Sequence, residues 1–482
     1  MPKYDSPNLQ HLIEELAAAP SIEEKDQIWQ RVETPFIEDA PNQSDQCLVT
    51  FLYREESDKK TIYLWSTFTG LPCSLQSQFK AIPKTDIRYL TLILPRTFRS
   101  AYNVLIVDED TAKEEFPEQE NTESFYPIPT GKFKESQMLL MHLFNQGCVQ
   151  TDPRNKREMT YYMDYDNPGD FFGKESIIEL PDAPAFITSC SLDKAKEHRE
   201  QCKKEHRFFD FELNLLETSL KNAPGYYENP EQSTRKYWVY LPPDYDKQAL
   251  PYPMILFLDG SDYLNPMPAL LILDKLIQEE SIPACVGVFL EYSSIHRMHE
   301  YNCNDEFTSF LADDFIRMLH DKNQLNITQD ARLITLVGQS ASGLAAFYAA
   351  LTNPTVFGNA IALSPSLEMQ KLTNLEQKIA KYHKENSDTQ FIFDVGTYET
   401  IPVDLEFKDG STQSISTFEA NRRIADFIQK KGMPIHKPEF VGGHNYGCWC
   451  ASLPLHIKTI FEHRKVALPS QAKLKSVIIS KM

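Results

Sequence analysis

The chain has 482 residues, too long for one compact core, so two domains with a helical extension are expected. Hydrophobic residues make up 41 % and charged residues 24 %, a globular balance that excludes disordered, collagen-like and fibrous chains. The 68 acidic against 49 basic residues leave a net charge of −19, which argues against nucleic acid or an anionic membrane as partner and leaves open a local basic pocket for an anionic ligand.

Residues 8–32 have helical periodicity, with Leu9, Leu12, Ile13 and Leu16 on one face and Ser21 to Glu24 as a capping box. No apolar segment follows Met1, Pro2 and Lys3, and no later run is long enough to span a bilayer, so a cytoplasmic protein is expected. Nine cysteines without zinc-knuckle or disulfide-ladder spacing read as free thiols, and no resident metal or cofactor is expected. Residues 48–53, 61–65, 89–94 and 98–108 are strand-like runs without intervening helices, the pattern of a β-sandwich. Breakers follow at Asp152–Pro153, at Asn167, Pro168 and Gly169, and at Pro181 to Pro184. The charged stretch 192–207 reads as an exposed helix at the domain junction. The expected division is 1–39 helical extension, 40–190 β-sandwich and connector, 191–207 linker helix, and 208–482 C-terminal domain.

After residue 208 strands and helices alternate. Strands are expected at 208–213, 236–241, 253–258, 284–290, 333–337, 359–364, 391–395 and 437–441, and helices at 269–280, 307–321, 342–352, 372–385 and 417–431. This spacing specifies a doubly wound, mainly parallel α/β sheet.

The sharpest motif is Gly338–Gln339–Ser340–Ala341–Ser342–Gly343, between a strand and a helix. A nucleophile elbow turns so tightly that the residues two before and two after the serine must be small, as Gly338 and Ser342 are. Ser342 is the poorer nucleophile, because Leu344 two residues later is too bulky. An elbow serine needs a base, and in this fold the acid and then the histidine follow it in the chain. His444 stands just after the last strand, behind Gly442 and Gly443. Glu399, after the strand 391–395, is the first choice for the acid, with Asp394, Asp404 and Glu406 as rivals. The oxyanion donors are expected to be the backbone N–H groups of Ala341 and Ser261.

On these residues the chain resembles the enterochelin (ferric enterobactin) esterase family of esterase-D-like α/β-hydrolases. The likeness is carried by Glu33 to Glu38, Leu48 to Arg54, Asp152 to Asn155, Pro181 to Pro184, Leu258–Asp259–Gly260, His296–Arg297, Glu300 to Phe307, Gly338–Gln339–Ser340, and Gly442–Gly443–His444 with Cys448–Trp449. The resemblance implies an Ig-like β-sandwich over an α/β-hydrolase domain. It also implies hydrolysis of the serine trilactone of a ferric catecholate siderophore, releasing iron. The family glycine two after the serine is Ser342 here, Asn445 replaces an aspartate, and 403–417 reads as an insertion. A ferric tris-catecholate carries −3 and needs paired cations. Arg297 and Arg154 are expected to supply them, with Glu300 beside Arg297 at the substrate site. Two other readings stay open: a serine esterase for feruloyl, acetyl or peptidyl esters, and an inactive two-domain binding protein.

Overall fold

The computed structural model describes residues 6–57, 59–108, 128–129, 139–140, 142–162, 171–186, 192–222, 234–246, 250–292 and 296–465. The predicted breaker at Asn167, Pro168 and Gly169, and Cys190, lie outside the described residues.

The helix Pro7–Ala18 starts where the Ser6 side chain accepts from the Leu9 N–H, with Pro7 in the first turn, where a missing N–H costs nothing. Ser21 caps the helix Ile22–Gln30 in the same way. The two helices bury Leu9, Leu12, Leu16 and Trp29 against Leu52, Ile82 and Ile87 of the following sheet.

Two antiparallel sheets come next. One runs Phe36–Asp39, Gln46–Arg54, Ile87–Pro95, Lys80–Ala81, and the other runs Lys60–Trp65, Arg99–Asp108, Phe171–Glu179, Glu158–Tyr162, with Val149–Gln150 on Arg99–Asp108. Alternate residues point inward from each, so Val49, Phe51 and Leu94 of one meet Ile62, Leu64, Tyr102 and Val104 of the other in one core, as a sandwich requires.

The helix Leu192–Lys204 is polar in composition, yet it docks on the C-terminal domain. His198 Nε2 lies 2.8 Å from an Asp274 carboxylate oxygen, and Arg207 reaches both oxygens of Asp274 at 3.0 Å. Cys202 Sγ sits beside them, and among the described residues these three groups bring His, Cys and acid ligand atoms within 4.8 Å of one another. Asp274 already holds two cationic partners, so ion pairing accounts for the cluster.

The large sheet has nine strands. In order they are Phe208–Asn214, Thr234–Tyr240, Val286–Leu290, Met254–Leu258, Ile334–Gln339, Asn359–Leu363, Gln390–Gly396 and Ile435–His436, with Glu439–Phe440 also on Gln390–Gly396. Pairing is parallel from Val286–Leu290 onward. The central strands are buried on both faces, which explains their continuous apolar runs. Of the expected strand 437–441 only Glu439–Phe440 pairs, with Ile435–His436 pairing ahead of it, and Pro438, which has no N–H to give, separates the two. The helix expected over 307–321 is continuous but passes through a π-helical stretch at Phe310–Phe315. The segment 403–417 forms the hairpin Pro402–Glu406 and Thr412–Ser416, which pairs with Ile128–Pro129.

One cysteine departs from expectation: Cys450 is disulfide-bonded, while Cys47, Cys73, Cys148, Cys202, Cys285, Cys303 and Cys448 are free. Spacing along the chain carries no information on a bridge made through the fold. No helix among the described residues is long and apolar enough to cross a membrane.

Candidate active site

The parallel strands all deliver their C-terminal ends to one edge of the sheet, where sites form in open α/β sheets. Asp259, Ser340, Ser364 and Glu399 each follow one of these strands, and His444 follows Glu439–Phe440.

Ser340 ends the strand Ile334–Gln339 and starts the helix Ser340–Thr352. Its φ is +52°, a left-handed conformation that a non-glycine residue adopts at a cost of about 1–3 kcal/mol. The turn is tight enough that a Cβ on Gly338 would lie 2.1 Å from the Ser342 carbonyl oxygen. Ser342 stands in the other small position, and its hydroxyl clamps the turn. It donates to the Gln339 carbonyl at 2.8 Å and accepts from the Gln339 N–H at 3.0 Å.

The Ser340 hydroxyl oxygen lies 3.0 Å from His444 Nε2, and His444 Nδ1 lies 2.7 Å from Glu399 Oε2. The other Glu399 oxygen accepts from the Gly396 N–H at 2.7 Å and from the Ser364 hydroxyl at 2.6 Å. Ser364 in turn accepts from the Trp449 indole N–H at 3.0 Å, and the Trp449 ring stands edge-on to the imidazole, 4.8 Å between centroids. Burial alone would pull the His444 pKa down. The Glu399 charge and its hydrogen bond, with Glu368 and Asp394 further out, outweigh burial and hold the imidazole above its ordinary value. A serine, an imidazole and a carboxylate in this chain order and at these distances can pass a proton from hydroxyl to imidazole while the carboxylate fixes the tautomer.

The rival acids lie elsewhere. Asp394 is bonded to His456 Nε2 at 2.8 Å and to the Ser364 N–H at 3.1 Å. Asp404 and Glu406 sit on the hairpin strand Pro402–Glu406. Ala341 lies in the first turn of its helix, where N–H groups have no intrahelical acceptor.

Four expected site residues need correction. The Ser261 N–H donates to Glu291 Oε2 at 3.0 Å, so it is already taken and is not an open oxyanion donor. Arg297 does not stand free for a substrate anion. Its Nε and Nη2 bind both oxygens of Asp259 at 2.9 and 2.6 Å, and a carboxylate with no solvent exposure demands such a partner. Glu300 is fully buried and meets Arg235 through two bonds of 2.9 and 2.7 Å. Arg154 serves the N-terminal helices, donating to the Trp29 and Val32 carbonyls at 2.7 and 3.0 Å at the helix end.

The structure also places residues here that sequence reasoning did not single out. Ser366 Oγ lies 3.1 Å from Ser340 Oγ, and its N–H donates to the Ser340 carbonyl at 3.0 Å. Glu368, two residues on, is buried, and burial pushes its carboxyl up to about 7. Ser364 to Ser366 directly follow the strand beside the elbow strand, and that position at the sheet edge was the available signal.

A family model described as a putative esterase matches residues 231–460, and one described as the N-terminal part of enterochelin esterase matches 48–187. Among curated proteins, an iron(III) salmochelin esterase of Escherichia coli is 22 % identical over 442 residues, 90 % of this chain and 93 % of that protein. An iron(III) enterobactin esterase of Escherichia coli is 28 % identical over 136 residues, which spans 28 % of this chain and 33 % of that protein. Among solved structures, the ferric enterobactin esterase of Salmonella typhimurium superposes with a TM-score of 0.65 at 18 % identity, covering 91 % of this chain and 98 % of that one. The enterobactin esterase of Shigella flexneri gives 0.61 at 18 % identity over the same shares. These superpositions bear on the fold, which is an α/β-hydrolase domain preceded by a β-sandwich.

Proposed function

We propose that this chain, which matches the model of an enterochelin-esterase N-terminal part over 48–187 and of a putative esterase over 231–460, is a serine hydrolase that opens the ester bonds of a catecholate siderophore trilactone, freeing the bound iron. The observation that carries the reading is the Ser340–His444–Glu399 chain of contacts, 3.0 and 2.7 Å, at a strained strand-to-helix turn.

In this mechanism His444 Nε2 takes the Ser340 proton as the oxygen attacks the ester carbonyl, and later delivers it to the leaving alcohol. Glu399 remains ionised, holds Nδ1–H and stabilises the imidazolium. The Ala341 N–H faces the developing oxyanion, a contact worth about 10²–10³ in kcat for a typical donor. Water then repeats the sequence on the acyl-enzyme and releases the hydroxy acid.

A second reading keeps this chemistry with an uncharged carboxylic ester as substrate. It is favoured by the engagement of Arg297 with Asp259 and of Arg154 with helix carbonyls, which takes away the cations expected to meet a trianion. Product analysis with a ferric catecholate trilactone beside a neutral aryl ester separates the two. The siderophore reading requires kcat/KM to be higher for the trilactone, with linear and monomeric hydroxy-acid products. Ser340→Ala must abolish turnover of both and labelling by a fluorophosphonate, and full retention in that variant would end the serine-hydrolase reading.

A further inference from the structure

We infer that the N-terminal sandwich positions the catalytic histidine, and that Thr67 is the residue through which it acts. The inference rests on the triad reading above. It concerns a residue that precedes His444 by 377 positions.

The loop that carries His444 is fastened to the sandwich at four points. The Arg99 N–H donates to the Val441 carbonyl at 3.0 Å. The Thr67 hydroxyl oxygen accepts from the His444 N–H at 3.0 Å. Asn445 Nδ2 donates to the Ser100 hydroxyl at 3.0 Å, and Cys448 Sγ lies 3.2 Å from the Arg99 carbonyl oxygen. The loop contributes no bulk of its own at this contact. A Cβ on Gly442 would lie 2.4 Å from the Arg99 carbonyl oxygen, and one on Gly443 would lie 2.0 Å from the Thr67 hydroxyl oxygen. The sandwich therefore packs directly against the backbone that bears the imidazole.

Thr67 is itself fixed. It opens the short turn Thr67–Thr69 after the strand Lys60–Trp65. The Ser66 N–H donates to the Thr69 hydroxyl at 3.0 Å, and the Ser66 hydroxyl donates to the Ala101 carbonyl at 2.6 Å, which ties the turn to the neighbouring strand. The loop of the triad acid seats on the same patch. The Tyr398 N–H donates to the Gly442 carbonyl at 3.0 Å, and the Tyr398 ring meets Phe98 edge-on at 5.2 Å and Phe68 at 6.5 Å. Base and acid are thus referenced to one rigid surface, and the nucleophile is referenced to the sheet. Holding the imidazole in line between Ser340 and Glu399 matters because a misplacement of about 1 Å can cost about 10² in rate.

The test uses the full chain, a neutral aryl acetate, and Thr67→Val, which keeps the shape and removes the hydroxyl, beside Thr67→Ser, which keeps the hydroxyl. We expect Thr67→Val to lower kcat about tenfold at unchanged KM and to slow fluorophosphonate labelling of Ser340 in proportion. Thr67→Ser should restore both. If Thr67→Val does not fold, Ser100→Ala, which releases Asn445, must give the same split between kcat and KM. Wild-type kcat in Thr67→Val overturns the inference. So does a raised KM at unchanged kcat, which would make Thr67 a substrate contact, and so does an equal loss in Thr67→Ser, which would make the site a matter of folding alone. Full turnover in Ser340→Ala, with Thr67 intact, is the separate result that ends the triad reading and this inference with it.

Discussion

The two halves of the proposed catalytic pair are built in opposite ways. The Ser340 turn is made from its own neighbours: Gly338 provides room, the Ser342 hydroxyl ties back to Gln339, and strand and helix on either side hold the ends. The His444 loop takes its shape from residues far away in the chain. Thr67 and Ser100 hold it at separations of 377 and 345 residues, and Arg99 closes its start and its end. A local device can be read as a motif and survives insertions elsewhere. If the inference about Thr67 holds, a non-local device of this kind ties activity to the seating of one domain on another.

Breaking the local half should give the largest effect. Gly338→Ala would place a methyl 2.1 Å from the Ser342 carbonyl oxygen, and backbone on both sides leaves it nowhere to go. The elbow must open, at about 1–3 kcal/mol or more by analogy with overpacked cores. We expect fluorophosphonate labelling to be lost and the melting temperature to fall. Normal labelling would mean that the turn is softer than its geometry.

This asymmetry also explains what the sequence disclosed. That Ser340, His444 and Glu399 would meet was legible because each sits at a fixed offset from a strand end. Glu399 and Asp394 are told apart by the fold, which gives Asp394 to His456 and to the Ser364 N–H. The cations were not legible. Arg297 pairs with Asp259 at 38 residues, Glu300 with Arg235 at 65, and Arg154 with the Trp29 carbonyl at 125. A sequence states that a charge exists, but only the fold states which partner has taken it. The Cys450 bridge escaped for the same reason.

The acid joins the two halves and should rank next. Glu399→Gln removes the charge that holds the His444 pKa above its ordinary value, and it weakens the preference for the working tautomer. We expect kcat to fall by about 10²-fold or more. In the proposed mechanism the base works as neutral imidazole, so wild-type kcat/KM is expected to rise with pH through a value above 6.5. In Glu399→Gln that limb should move to lower pH. An unmoved limb would assign it to another group.

The non-local half is probed more gently. Gly443→Ala forces the Thr67 hydroxyl to turn away, because the new methyl would lie 2.0 Å from it, and the His444 N–H then loses its acceptor. A loss of about tenfold in kcat is expected. Adding Thr67→Ala relieves the crowding, so the double variant should be no worse than Thr67→Ala alone, the mark of residues acting through one contact. Additive losses would separate the two.

The smallest effect tests the ground between the halves. Glu368 follows Ser366, which touches the nucleophile, and its charge acts on His444 from a buried position with one carboxyl oxygen unpartnered. Burial lifts its carboxyl from 4.5 to about 7, so the folded protein keeps it neutral over a range where the unfolded chain ionises it. The native state then binds more protons than the unfolded state between those values. Stability from this group is complete below 4.5 and is lost as pH rises through about 7. Glu368→Gln keeps the size and removes the titration, so the decline in melting temperature between about pH 5 and 8 should flatten. The same substitution removes a charge that favours the imidazolium, so the acid limb of kcat/KM should shift slightly to lower pH while its plateau holds. A fall in the plateau would place Glu368 among the groups that meet the substrate. An unchanged pH dependence of stability would mean that its carboxyl is hydrated in the folded protein.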